Sequence, residues 1–265
     1  MDLGLKDKVA IVTGGSDGIG KATAFGFARE GARVVICARG TERFEKVATE
    51  ISERTGVVVK PIRADVTSLD DICHVIETTA DIFGKIDILV NNAGTSSALS
   101  FEKATDDDWQ EDLDLKLWAA IRFSRQVIPH MKRSGGGRII NITTPSGKTP
   151  GPASVPTSVS RAAGIGLTKA LSKEFAADNI LVNTVCIGSI KSGQWERRYG
   201  DLRKSDDSLT LEKYYKNVGK ETGIPLNRIG EATEAGDVIV FLASDRAGYV
   251  TGTSLNVDGG ASAVI

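Results

Sequence analysis

The chain has 265 residues, of which 41% are hydrophobic and 25% charged, and its formal net charge is -1. That length and apolar content suit one large domain with a substantial core, and the near-zero charge leaves no overall field that steers the chain toward nucleic acid. The three cysteines, Cys37, Cys73 and Cys186, are odd in number, widely spaced and lack a CxxC pair, so neither a disulfide framework nor a metal site is expected.

The opening "MDLGLKDKVAIVTGG" mixes charge into its first residues, and its apolar run is only about four long, too short for a signal peptide or a membrane span. A reducing, cytoplasmic setting and a small-molecule partner are expected. From there β-branched runs alternate with longer amphipathic ones: "VAIVTGG", "GKATAFGFAREG", "RVVICAR", "ERFEKVATEISERTG", "VVVKPIRADV", "DDICHVIETTADIFG" and "IDILVNNAG". The rhythm continues through "GRIINIT", a helix over Thr157–Ala177, "ILVNTVCIG" and "GTSLNVDGG". Strands separated by helical crossovers predict a parallel sheet covered on both faces, hence an α/β, doubly wound, Rossmann-type fold. No linker divides it, so a single domain over residues 1–265 is expected.

One stretch breaks the rhythm. Residues 190–226 are charged and aromatic and follow the end of a strand, where ligands bind in such sheets. They are expected to form a substrate lid inserted in the domain, the alternative being a solvated helical excursion or an oligomer contact. Trp195, Tyr199, Tyr214 and Tyr215, with Arg197 and Arg198, either shape an aromatic, partly cationic pocket or pack the insertion against the body.

The loop "TGGSDGIG", Thr13 to Gly20, joins the first strand to the first helix. Gly14 permits the tight turn, Gly18 lets the backbone approach a pyrophosphate, and Gly20 permits close packing of helix on strand. The second strand ends in "VVICARG", with Arg39 where an acid would bond the ribose diol of NAD(H). Arginine makes charge-assisted bonds to a 2'-phosphate, which favours NADP(H) over NAD(H). Asp17 in the same loop opposes that preference, and Arg39 as a plain surface charge is the alternative.

These segments resemble the short-chain dehydrogenase/reductase family over essentially the whole chain. "TGGSDGIG" is similar to its glycine loop, "NNAG" to its fourth-strand motif, and "RIGEATEAGDVIVFLASDRAGYVTGTSLNVDGG" to its C-terminal signature. The resemblance implies a cofactor lined by Gly14, Ser16, Asp17, Gly18, Ile19, Gly20, Arg39, Asp65, Val66, Asn91, Ala93, Gly94, Arg161, Gly188, Ile190 and Ser192, with Asp65 at the adenine ring. It also implies a dimer or tetramer built on the helices bearing Lys116 and Thr157, where Gly164 and Gly166 permit close approach despite a cost of about 1 kcal/mol each.

The family's catalytic set resembles asparagine, serine, tyrosine and lysine. Aligned on "GGRIINITTPSG", those positions fall on Lys116, Thr144, Thr157 and Arg161, so all four differ. Thr144 retains a hydroxyl donor; Arg161 retains charge and can hold a ribose diol but passes on no proton. Thr157 cannot act as a general acid near neutrality, a function worth about 10²–10⁴ in rate. On the helix after "TDDDW", the stripe Trp109, Leu113, Lys116, Ala120, Phe123, Val127 traces one inward face with Lys116 as its only charge. Desolvation beside Arg161 would lower the lysine pKa into the range of a general acid, with Thr144 and Thr157 holding the carbonyl oxygen. The alternative is a structural ion pair between Lys116 and a nearby carboxylate.

Cys186 reads as a small apolar filler, and His74 and His130 as ordinary helix residues. The leading expectation is an NADP(H)-dependent oxidoreductase acting on a small carbonyl, imine or activated alkene. The alternatives are a redox-neutral lyase, dehydratase or isomerase that uses the cationic pair to stabilise an enolate, and a non-catalytic NADP(H)-responsive binding protein.

Overall fold

The first two strands, β1 (Val9–Thr13) and β2 (Arg33–Ala38), are apolar along almost every residue rather than at alternate positions, the signature of strands covered on both faces. A computed structural model of the chain describes residues 1–40 and 42–264, leaving Thr41 and Ile265 outside the described residues. With β3 (Val59–Arg63), β4 (Ile88–Asn91), β6 (Gly137–Thr143), β8 (Ile180–Ile187) and β9 (Ser254–Val257), these strands form a seven-stranded sheet in the order β3-β2-β1-β4-β6-β8-β9. Every pairing in it is parallel. The order reverses between β1 and β4, so the crevice for a ligand opens at the C-terminal ends of those two strands. A separate pair, β5 (Ala98–Leu99) and β7 (Val155–Pro156), runs antiparallel beside it.

The helices fall on two faces. α1 (Gly18–Arg29), α2 (Glu42–Thr55) and α9 (Ala232–Leu242) cover one, where Phe27, Ile51 and Ile239 meet Ala10 and Val12 of β1. α3 (Leu69–Phe83), α5 (Ala119–Arg133) and α6 (Thr157–Glu174) cover the other, where Ile72, Phe123 and Met131 meet Ile11 of the same strand. Burying each such side chain contributes about 1.5–3 kcal/mol. α4 (Asp106–Leu113) starts at a capping box, Thr105 with Asp108, and runs into α5 through a π-helical segment, Asp114–Trp118. Lys116 sits inside that segment, and such bulges are frequent at functional sites.

The insertion forms α7 (Gly193–Arg203) and α8 (Leu211–Glu221). Tyr214, Val218, Ile224 and Ile229 make a small core of their own, against which Trp195, Tyr199 and Tyr215 pack. The rings of Trp195, Tyr199 and Tyr215 lie 6.3, 5.8 and 5.8 Å from Tyr214, so these aromatics bury one another, and Arg197 and Arg198 stay exposed. The aromatics thus form a core of the insertion itself, which differs from the expected packing of the insertion against the body. Among the described residues no helix is long and apolar enough to cross a membrane.

Candidate active site

The glycine loop takes its shape from steric necessity. Gly14 and Gly18 have φ of +67° and +49°, and a Cβ on Gly20 would lie 2.2 Å from the Gly14 carbonyl oxygen. Asn92, absent from the sequence expectation, clamps the loop: its amide nitrogen donates to the carbonyl oxygens of Thr13 and Gly14 at 2.8 and 3.2 Å. Thr13 Oγ1 accepts from the backbone N–H groups of Asn92 and Ala93, both at 2.9 Å, tying the ends of β1 and β4 together.

Several expected cofactor residues have partners of their own. Asp17 does not lie free in the loop: its Oδ1 accepts from the Gly18 N–H at 2.8 Å and meets Arg43 at 2.9 Å, and its Oδ2 accepts from the Gly193 N–H at 3.1 Å. Its charge is thus spent on fastening α7 to the loop and on Arg43. Asp65 accepts from the backbone and hydroxyl of Thr67, which hold its carboxyl below the usual range, with Arg39 adding to the effect. Asn91 donates to Asn141, which donates to Thr168, a buried chain within the sheet rather than a free amide. Gly188 packs against Asp258, Ile190 bridges Gly230 and is buried, and Ser192 is the N-cap residue of α7. Arg39, just past β2, is exposed.

At the start of α6 the divergent positions meet. Lys116 Nζ donates to Thr157 Oγ1 at 2.9 Å and to Asp112 Oδ2. Thr157 Oγ1 donates to Asp112 Oδ2 at 3.2 Å and accepts from the Ser97 N–H at 2.9 Å. The expectation that Thr157 holds a carbonyl oxygen therefore needs correction: its single proton goes to Asp112 and its lone pairs are taken. Ser160 Oγ donates to Asp112 Oδ1 at 2.5 Å. These four side chains belong to residues only 3%, 8%, 6% and 2% exposed for Asp112, Lys116, Thr157 and Ser160.

Lys116 is thus not the only inward charge of its helix. Asp112, one turn earlier, is buried, whereas Leu113, which the α-helical stripe places inside, is only half-buried. The spacing of four between Asp112 and Lys116 was the available signal, and it belonged to the ion-pair alternative.

Burial, and the nearby Arg161 guanidinium, push the Lys116 amine down to about 8, while Asp112 works in the opposite direction. Burial likewise lowers Arg161 to about 10. The Arg161 guanidinium donates from Nη1 to the Ile142 carbonyl oxygen at 2.7 Å, and its Nε is buried without an acceptor. A Cβ on Gly94 would come within 2.8 Å of Arg161 Nη2, so this glycine keeps the arginine's berth open. Thr144 Oγ1 lies 2.5 Å from Ser146 Oγ. The glycine cradle, the orphaned buried Nε of Arg161 and the exposed Arg39 fit a phosphorylated dinucleotide running from the loop across to α6.

A doubly wound sheet with a glycine cradle at its switch point and a buried polar cluster on the adjoining helix defines a dinucleotide-binding α/β enzyme. The chain belongs to the short-chain dehydrogenase family, whose model matches residues 8–201, and it is an oxidoreductase of that family. It is 34% identical over 256 residues to the 3-oxoacyl-(acyl-carrier-protein) reductase FabG of Thermotoga maritima, covering 97% of this chain and 98% of that one. The crystal structure of L-sorbose reductase from Gluconobacter frateurii, complexed with NADPH and L-sorbose, superimposes with a TM-score of 0.95 at 37% identity and full coverage of both chains. An NADPH-bound short-chain oxidoreductase of Pseudomonas aeruginosa PAO1, described as containing an atypical catalytic centre, superimposes with a TM-score of 0.91 at 32% identity, covering 98% of this chain and all of that one.

Proposed function

We propose that the chain is an NADP(H)-dependent oxidoreductase of a small carbonyl, imine or activated alkene in which a buried lysine replaces the phenol as proton donor. The observation that carries this reading is the buried Lys116 amine held 2.9 Å from Thr157 Oγ1 at the head of α6, where burial and Arg161 push it down to about 8. A group of that pKa is charged at neutrality yet gives up its proton readily, the condition for a general acid. NADPH, when bound, supplies the hydride.

The chain's own residues supply the rest. Lys116 delivers a proton to the substrate oxygen or nitrogen, directly or through water. The Thr144 hydroxyl orients that atom, and the Ser146 hydroxyl beside it sets its rotamer. Arg161 offers Nε and Nη2 to the nicotinamide ribose, and Arg39 offers charge to the 2'-phosphate. The segment 190–226, fastened to the glycine loop through Asp17, serves as the lid over the substrate. Likeness to a reductase complexed with NADPH and to an NADPH-bound short-chain oxidoreductase supports the cofactor.

Transfer of deuterium tests the reading. The protein is incubated with NADPH deuterated at the pro-S C4 position, with the pro-R isotopomer as control, and a panel of carbonyl compounds, and products are analysed by mass spectrometry. Label in a product is expected, and Lys116→Met should lower its rate by about 10²–10³ with NADPH affinity retained. No transfer from either isotopomer despite tight NADPH binding would demote this reading in favour of redox-neutral chemistry at the cationic pair or a non-catalytic NADP(H)-responsive role. Unchanged transfer by Lys116→Met would remove the lysine from the role.

A further inference from the structure

We infer that Asp112 is a positioning residue for this reaction: through one carboxylate it fixes both the direction and the charge of the Lys116 amine. The inference rests on the reading of Lys116 as the proton donor, and it concerns a residue outside the four divergent positions.

The carboxylate is held from two helices. Lys116 and Asp112 lie four apart in the chain and pair directly, and a buried pair needs further hydrogen bonds for the atoms left over. Here both carboxylate oxygens are also engaged from α6: Oδ2 accepts from Thr157 Oγ1 at 3.2 Å and Oδ1 from Ser160 Oγ at 2.5 Å. A carboxylate held at both oxygens has one rotamer, and it passes that constraint to the amine it binds. An ammonium carries three protons. Two go to Asp112 and Thr157, and among the described residues the third has no acceptor. That third N–H is the one left for a substrate.

The charges point the same way. The groups facing Lys116 are Asp112 from α4 and Arg161 from α6, with the Cys186 thiol of β8 near Arg161 and the hydroxyls of Thr157 and Ser160 completing the surroundings. Burial and Arg161 both disfavour the ammonium, and Asp112 is the one group opposing them. Without the carboxylate every remaining influence drives the amine toward its neutral form, which has no proton to give.

The test is a titration that needs no substrate. Protein carrying ¹³Cε-lysine is followed by NMR across pH, and the Lys116 resonance is identified by its loss in Lys116→Met. The wild-type midpoint is expected near 8. Asp112→Asn should move it down by about 1–3 units, the usual effect of one nearby opposite charge. Asp112→Ser, which also removes the carboxylate, stands in should Asp112→Asn fail to fold, and Ser160→Ala, which keeps the carboxylate and removes one of its donors, should leave the midpoint at or above the wild-type value.

In reduction the active form is the ammonium, so activity is present below the midpoint and lost as pH rises through it. The alkaline limb of kcat should therefore shift to lower pH in Asp112→Asn, with Asp112→Glu restoring part of the wild-type profile. A purely structural ion pair would lower melting temperature and move the midpoint as well, but would leave the alkaline limb of kcat in place, and that outcome would overturn the inference. If the midpoint does not move while Lys116→Met is inactive, Asp112 fails and the proton donor stands. If Lys116→Met transfers deuterium like the wild type, the proton-donor reading itself fails.

Discussion

Arg39 stands exposed just past β2, and the fate of Asp17 decides how strongly it can act. From sequence, Asp17 sets a negative charge in the same loop. Folded, that charge is shared among the Gly18 and Gly193 N–H groups and Arg43, which lessens the objection to a 2'-phosphate beside Arg39. Replacing Arg39 with alanine should weaken NADPH binding by about 10- to 100-fold, the equivalent of one charge-assisted contact of about 1.5–3 kcal/mol, and leave NADH nearly unaffected. Calorimetric titration with both cofactors measures the difference. Positions 116, 144, 157 and 161 were picked out by the family resemblance, aligned on "GGRIINITTPSG". Asp112 and Ser160 were not, because nothing in a one-dimensional pattern says that position 160 of one helix and position 112 of another share a carboxylate.

At the scale of elements, the strands and helices follow their sequence rhythm because burial on both faces of a parallel sheet leaves a continuous apolar run. The helix bearing Lys116 is the exception: a regular 3.6-residue stripe places Leu113 inward, but the π-helical turn over Asp114–Trp118 changes the register, and the polar residue before it is buried instead. The insertion departs in another way. Its aromatics offer either a pocket or a core, and their mutual stacking around Tyr214 is a packing outcome that composition leaves open. α7 is tied to the glycine loop by Asp17, which also caps α1. Asp17→Ala should therefore cost about 0.5–2 kcal/mol of stability and expose the segment 193–221 to protease. A thermal melt and a limited digest read the two effects, and a digest identical to wild type would mean that the small core of the insertion suffices to hold it.

For the molecule as a whole, the surface carries large apolar residues where a helix partner would sit. Trp118 in the π-helical turn and Val159 on α6 are 42% and 45% exposed, and a Cβ at Gly166 meets nothing within 4 Å. A self-assembling chain is the proposal these surfaces support. Sedimentation should return a dimer or tetramer, Val159→Glu should shift it to smaller species, and a monomer at micromolar concentration would exclude it. By itself the sequence determined the sheet, the crevice and the family, since strand-helix rhythm and a glycine loop are local patterns that survive without coordinates. Only the tertiary structure decided how the charges are distributed at the site. Whether a buried lysine is an acid or an ion pair depends on a carboxylate a turn away, an arginine on another helix and the exclusion of water, and those distances exist only once the chain is folded.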